Sequence, residues 1–164
     1  PFLFDMGFWA EGGLFLPEHL DTVIAYNDPL TPEDAPPTEV VIPFLDAPFV
    51  KFTVGFDYTF DSGLYTNVQF IHGFFDELGN EQIDDYVFAG MDKYFLSDTL
   101  LTRIFAGIDV NDRSYLVFPE ITWTPMDAVS FIVGAIVYRG APLSKFGQPS
   151  AGKDTLHLKV QYSF

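Results

Sequence analysis

The sequence contains no cysteine. That excludes a disulfide framework and any thiolate metal site. Basic residues are scarce: 8 Lys+Arg stand against 23 Asp+Glu, for a net charge of −15. A chain so acidic repels phosphate, so nucleic acid is excluded as a general partner. A membrane-spanning helix needs about 20 consecutive apolar residues, and the longest candidate, 129–138, is about half that. The chain opens at Pro1 without Met or a basic stretch, so no signal peptide is visible. What is abundant is apolar and aromatic: 48% of the 164 residues are hydrophobic, 18% are aromatic, and 19 are Phe. Acidic disordered chains are poor in aromatics, which excludes disorder. Strong acidity beside strong hydrophobicity is the feature to explain.

Nearly every apolar segment alternates with period two, the period of a β-strand. Eight segments read this way: 4–16, 49–60, 64–74, 86–95, 100–110, 115–124, 129–139 and the C-terminal stretch from Thr155. In the second, Val50, Phe52, Val54, Phe56, Tyr58 and Phe60 share one face, opposite Lys51, Thr53, Gly55, Asp57 and Thr59. The seventh is apolar on both faces. The connections alternate in length. Residues 61–63, 96–99 and 125–127 are tight turns, whereas 17–48, 76–85 and 140–154 are long; the short link 111–114 is the exception. The expected fold is all-β, an antiparallel up-and-down transmembrane β-barrel with eight strands in this chain. Long loops gather at one end of such a barrel and short turns at the other. Segments of about 9–11 residues suit a tilted membrane strand, while ordinary strands run about 5–6. On this reading 1–164 is a single domain and 17–48 a long extracellular loop.

If the short turns share one end, the apolar faces of the even-numbered segments finish there in Phe60, Phe95, Trp123 and Phe164. These four would form an aromatic girdle at one membrane level. A soluble β-sandwich would show the same alternation but has no use for aligned terminal aromatics.

The last ten residues, Thr155-Leu-His-Leu-Lys-Val-Gln-Tyr-Ser-Phe164, alternate and end in Phe with Tyr162 two before it. This resembles the C-terminal signature of Gram-negative outer-membrane β-barrels. The resemblance implies an assembly signal at Val160, Tyr162 and Phe164 and a barrel-assembly machinery as partner. Residues Phe118-Pro-Glu-Ile-Thr-Trp-Thr-Pro-Met-Asp127 and Lys145-Phe-Gly-Gln148 extend the similarity to the C-terminal part of larger porin-like barrels. That implies transport in a cell outer membrane but no particular solute. Eight strands suffice for the smallest barrels. The entry of Pro1-Phe2-Leu3-Phe4 directly into a strand, and a Gly- and Thr-rich inward face, favour the last eight strands of a larger barrel.

The inward, pore-lining set is expected to be Lys51, Asp57, Asn67, Gln69, Asp92, Arg103, Asp109, Glu120, His157, Lys159 and Gln161. Rings of such charges tune ion preference in pores. Equally, they solvate a polar lumen or pair with one another. Arg103 and Asp109 lie about 20 Å apart along one strand, so their partners belong to neighbouring strands. The long loop carries Glu18, Asp21, Asp28, Glu33, Asp34, Glu39 and Asp46 without Lys or Arg, and Asp76, Glu77, Glu81, Asp84 and Asp85 form a second acidic group. Carboxylates suit Ca²⁺, but no spaced Asp/Asn/Gly loop accompanies them, so the expectation is an acidic, solvated rim, with no metal and no cofactor.

Enzymatic chemistry is not expected. His19, His72 and His157 have no serine elbow or paired acid at a triad-like spacing, and Gly12-Gly13 and Gly147 form no phosphate loop. The expected function is a porin-like channel for passive diffusion or uptake of small solutes, in contact with outer-membrane lipid. Two alternatives stand beside it. One is a non-conducting barrel that anchors or scaffolds a partner complex. The other is a barrel passing hydrophobic molecules, suggested by inward Ile71, Ile132, Ile136 and Tyr138. The sequence leaves open whether it forms homo-oligomers or joins a membrane complex.

Overall fold

A computed structural model describes residues 6–17, 20–26, 38–45, 47–79, 83–148 and 154–163. The alternating segments form β1 (Gly7–Phe15), β4 (Phe49–Thr59), β5 (Leu64–His72), β6 (Asp85–Phe95), β7 (Leu100–Asp109), β8 (Tyr115–Met126), β9 (Val129–Arg139) and β10 (Thr155–Tyr162). These make one eight-stranded antiparallel sheet in the order β1-β4-β5-β6-β7-β8-β9-β10. Between β1 and β4 lies a separate hairpin of β2 (Leu20–Tyr26) and β3 (Thr38–Leu45). The 17–48 stretch, expected as a loop, therefore contains regular structure.

The sheet is an up-and-down meander. Its tight turns, 60–63, 96–99 and 127–128, share one end, and the 73–84, 110–114 and 140–154 connections share the other. The expected closure into a barrel is absent: β1 pairs with β4, β10 pairs with β9, and the two do not pair with each other among the described residues.

Register assigns every side chain to a face, because directly paired residues point the same way. One face is apolar: Phe8, Val54, Val68, Ala89, Ile104, Pro119, Val133 and Leu158 are typical, drawn from every strand of the sheet. Ionisable residues on this face stand near its ends: His72, Asp85 and Arg139 by the long loops, and Lys93 towards the tight turns. Between them the band is uncharged among the described residues. The other face is mixed, polar along most of its height and aromatic near the long loops.

Burial is inverted relative to a soluble sheet. Val50, Phe52, Val54 and Phe56 are exposed while Lys51, Thr53 and Asp57 between them are half-buried. The principal packed cluster is Tyr86, Phe88 and Phe146, with Ile71, Phe74, Phe105, Leu116 and Tyr138 against it. It sits on the polar face at the long-loop end, where Phe74 and Phe146 fold in from loops. Its rings meet at favourable offsets, such as Phe88 on Phe105 at 5.5 Å and Phe74 edge-on to Tyr86 at 4.7 Å.

Pro119 is unusual in a central strand because it has no N–H to give the ladder. β8–β9 pairing is interrupted between Val117↔Val137 and Glu120↔Gly134. There the apolar face opens into a groove of about 340 Å³ lined by Ile104, Ile121, Val133 and Leu156 among others.

Candidate functional site

The polar face gathers the residues that carry charge and amide chemistry. Lys51, Asp57, Asn67, Gln69, Asp92, Arg103, Asp109, Glu120, His157, Lys159 and Gln161 all fall on it. Register also adds Trp9 and Glu11 from β1, which the sequence reading left unassigned.

Adjacent strands form a transverse row: Asp92, Arg103, Glu120, Gly134 and His157 stand directly across from one another on β6 to β10. Arg103 donates from Nε and Nη2 to the Asp92 carboxylate at 2.8–3.2 Å. The cross-strand partner expected for Arg103 is thus Asp92. Both side chains keep solvent access, so the pair fixes geometry more than it adds stability, about 0–1 kcal/mol for exposed pairs. His157 Nε2 lies 3.5 Å from a Glu120 carboxylate oxygen, two strands away. It gets there by lying flat across β9 at Gly134, where a Cβ would stand 2.3 Å from the His157 ring. Phe118 stacks on the other side of the imidazole at 5.7 Å.

The same device recurs along the face. The Trp9 ring lies over Gly55, Phe88 over Gly107, and Asn67 over Gly90. At Gly55 and Gly107 the neighbouring ring occupies the space of a Cβ, and at Gly90 and Gly134 the neighbouring side chain would have to shift to admit one. The consequence is a wall whose side chains lie along the sheet instead of projecting from it. These glycines were missed by residue-type reasoning, which reads an isolated strand glycine only as a weak spot.

Asp109 departs from the rest of the set. It is fully buried, with 0% exposure. Its Oδ1 accepts from the Asn111 and Asp112 amides, closing the 110–114 turn, and its Oδ2 has no partner. It therefore anchors a turn and lines no open surface. Lys159 and Gln161 lie exposed on β10, the sheet edge.

Of the girdle residues, Phe95 and Trp123 align in register across Leu100 on the apolar face, and Trp123 meets Phe131 at 5.7 Å. Phe60 stands exposed at the tight turn after β4. Phe164 lies outside the described residues. Val160 and Tyr162 of the expected assembly signal are exposed on the apolar face.

The second acidic group is only partly a solvated rim. Glu77, 7% exposed, is a hub. Its Oε1 accepts from the Tyr86 hydroxyl and, at 2.9 Å, from Lys145 Nζ; its Oε2 accepts from the Phe74 amide at 2.8 Å and the Asp84 amide at 3.2 Å. Burial alone would raise the Glu77 carboxyl. The bonds from Tyr86, Lys145 and the two amides outweigh it and hold the group below its usual value. Lys145 mirrors this: burial would lower it, but Glu77 and Asp76 hold it above the ordinary lysine value. Asp84 is pushed up by burial and then by repulsion from Asp109, Glu77 and Asp112. No cluster of three or more His or carboxylate groups placed to hold a metal exists among the described residues.

No known protein family matches the chain, and neither a curated protein nor a solved structure matches it.

Proposed function

We propose that this sheet is wall from a Gram-negative outer-membrane β-barrel that passes small solutes along its polar face. The observation that carries the reading is the apolar face. It is exposed, uncharged through its middle and bounded by charges and aromatics near its ends. In water such a surface costs about 25 cal/mol for each Å² left uncovered; hydrocarbon removes that cost. A bilayer does not tolerate open sheet edges, so β1 and β10 need pairing in the membrane. Filling the lumen of a closed eight-stranded barrel is the usual role of its inward side chains. Here they lie flat over Gly55, Gly107 and Gly134, which suits the wall of a wider passage completed by further strands.

The aromatic end of the polar face, with Ile71, Phe105, Leu116 and Tyr138, favours a second reading in which the solutes are apolar. One experiment addresses both. The protein is folded into liposomes, checked for heat-modifiable gel mobility, and assayed by osmotic swelling with sugars and by uptake of a hydrophobic dye. Swelling supports the polar channel, dye uptake without swelling supports the apolar one, and recovery of native protein from buffer without detergent sinks both.

A further inference from the structure

Residues 140–148, which follow β9, are built as a compact unit. Ser144 N and Oγ both donate to the Ala141 carbonyl, at 2.9 and 2.7 Å, and Gln148 N donates to the Ser144 carbonyl at 3.0 Å. Two glycines permit this tightness. A Cβ on Gly147 would stand 2.3 Å from the Ala141 carbonyl oxygen, and one on Gly140 would stand 2.5 Å from Ser114 Cβ. Its bonds to the rest of the protein run through two neighbouring residues, Lys145 and Phe146. Lys145 Nζ reaches Glu77 at 2.9 Å and Asp76 at 3.3 Å on the 73–84 loop. The Lys145 amide donates to Asp112, and the Phe146 amide to Ser114 Oγ at 3.0 Å. The Phe146 ring is buried against Tyr86, and the Lys145 ammonium stands over the Phe74 and Tyr86 rings at 5.4 and 5.7 Å.

We infer that residues 140–148 form a hinged cap over the aromatic end of the polar face, that Lys145 is its fastening, and that its release sets how large a solute can pass. The inference rests on the channel reading above. Its physics is local opening: a segment with tight internal bonds, whose external bonds converge on the two neighbouring residues Lys145 and Phe146, opens as a unit. Lys145 supplies the charged part of the external bonding, and Glu77 is already held as a carboxylate by three other donors. Losing the ammonium therefore weakens the fastening and raises the open population of the cap without dismantling the hub.

The absence of cysteine makes the test direct. Leu116→Cys puts a single thiol on the polar face beneath the cap, and its maleimide labelling is compared with and without Lys145→Met in the liposome-folded protein. Labelling should be faster by about tenfold or more, as expected for loss of a charge-assisted hydrogen bond from a closed state, and swelling with larger sugars should rise with it. Lys145→Arg should label as slowly as the native background. Asp76→Asn, at an exposed site, should be intermediate and stands in if Lys145→Met does not fold. Equal labelling rates overturn the cap, and so does faster labelling with an unchanged size limit. Absence of swelling in every protein sinks the channel reading, and labelling then still decides whether Lys145 holds the cap.

Discussion

Moving one arginine by a single residue, from Thr53 to Val54, separates a lipid-facing sheet from a water-facing one. β4 has 11 residues, Phe49–Thr59, and Val54 is its centre. At about 3.3 Å per residue the strand is about 36 Å long, and tilted by about 45° it crosses about 25 Å, the height of an apolar membrane band. Val54 then sits at the midplane. Its side chain is on the apolar face between Ala10 and Phe70, 42% exposed. Thr53 is on the polar face between Glu11 and Ile71. An arginine at the midplane facing lipid costs about 2–4 kcal/mol, while one facing a wet lumen changes stability by about 0.5 kcal/mol or less. Val54→Arg should therefore lower the folding equilibrium about 30- to 1,000-fold relative to Thr53→Arg. Guanidinium titration of folding into phosphatidylcholine vesicles, read by Trp9 and Trp123 fluorescence, measures the difference. If the face is wetted by water, Val54→Arg is nearly neutral. Equal midpoints, or a larger loss for Thr53→Arg, would refute the assignment of faces.

Other outcomes follow from the same geometry. Gly107→Ala should cost more than Gly134→Ala, by about 1–3 kcal/mol in all, because the new methyl meets the buried, stacked Phe88 ring at 2.2 Å. Gly134→Ala meets the movable His157 instead, so it should couple to His157→Ala in a double-mutant cycle, and additivity would count against the contact. Glu77 is held below the ordinary carboxyl value of 4.5, so its stabilisation is full above pH 4.5 and fades as pH falls through the lower folded value. Glu77→Gln should be less stable than the native chain at pH 7 and converge on it in acid; parallel pH curves would contradict this. Asp84 is shifted the opposite way, upwards from 3.8, so the fold loses stability as pH rises from there through the raised value. Asp84→Asn should be the more stable protein at pH 7, with the advantage gone near pH 3, as thermal melts at both values would show.

The strands and their faces were legible because period two is a local property. Alternation placed Asp57, Asn67, Arg103 and Glu120 on one face without knowledge of any neighbour, and register agrees. Pairing was legible only as a requirement. That Arg103 needed a partner on another strand followed from strand length, but the identity of Asp92 depends on the register of β6 against β7. The cap was not legible at all: Lys145 and Glu77 are 68 residues apart, and a lysine in a loop carries no local mark of a distant buried acid. Lys145-Phe-Gly-Gln148 entered only through its similarity to other barrels. The hairpin at 20–45 was hidden by proline and acids nearby, although Leu20–Tyr26 and Thr38–Leu45 each hold a short β-branched run that could have revealed it.

The inversion of the faces is what favours the proposed membrane barrel over the other architectures that the alternation allowed. A soluble sandwich must cover the apolar face of its sheet with a second layer. The only other sheet among the described residues is the two-stranded β2–β3 hairpin, far too narrow to cover eight strands. The packed cluster lies on the opposite, polar face and at one end of it. Burial there comes from Phe74 and Phe146 of the loops folding onto strand residues at one end, and it leaves the apolar face bare. Among the described residues, a broad apolar face and two strand edges remain uncovered, the two surfaces that water penalises most in a β-protein. Hydrocarbon would answer the first and strand pairing the second, and the proposed membrane barrel would supply both together. The charge of −15 fits the same division. On the polar wall, Arg103 is matched by Asp92 and Glu120 is approached by His157, so much of the excess acid belongs to the loops. Cation preference in the proposed channel should then arise at the mouth, fade as salt screens the rim, and survive substitution of the transverse row.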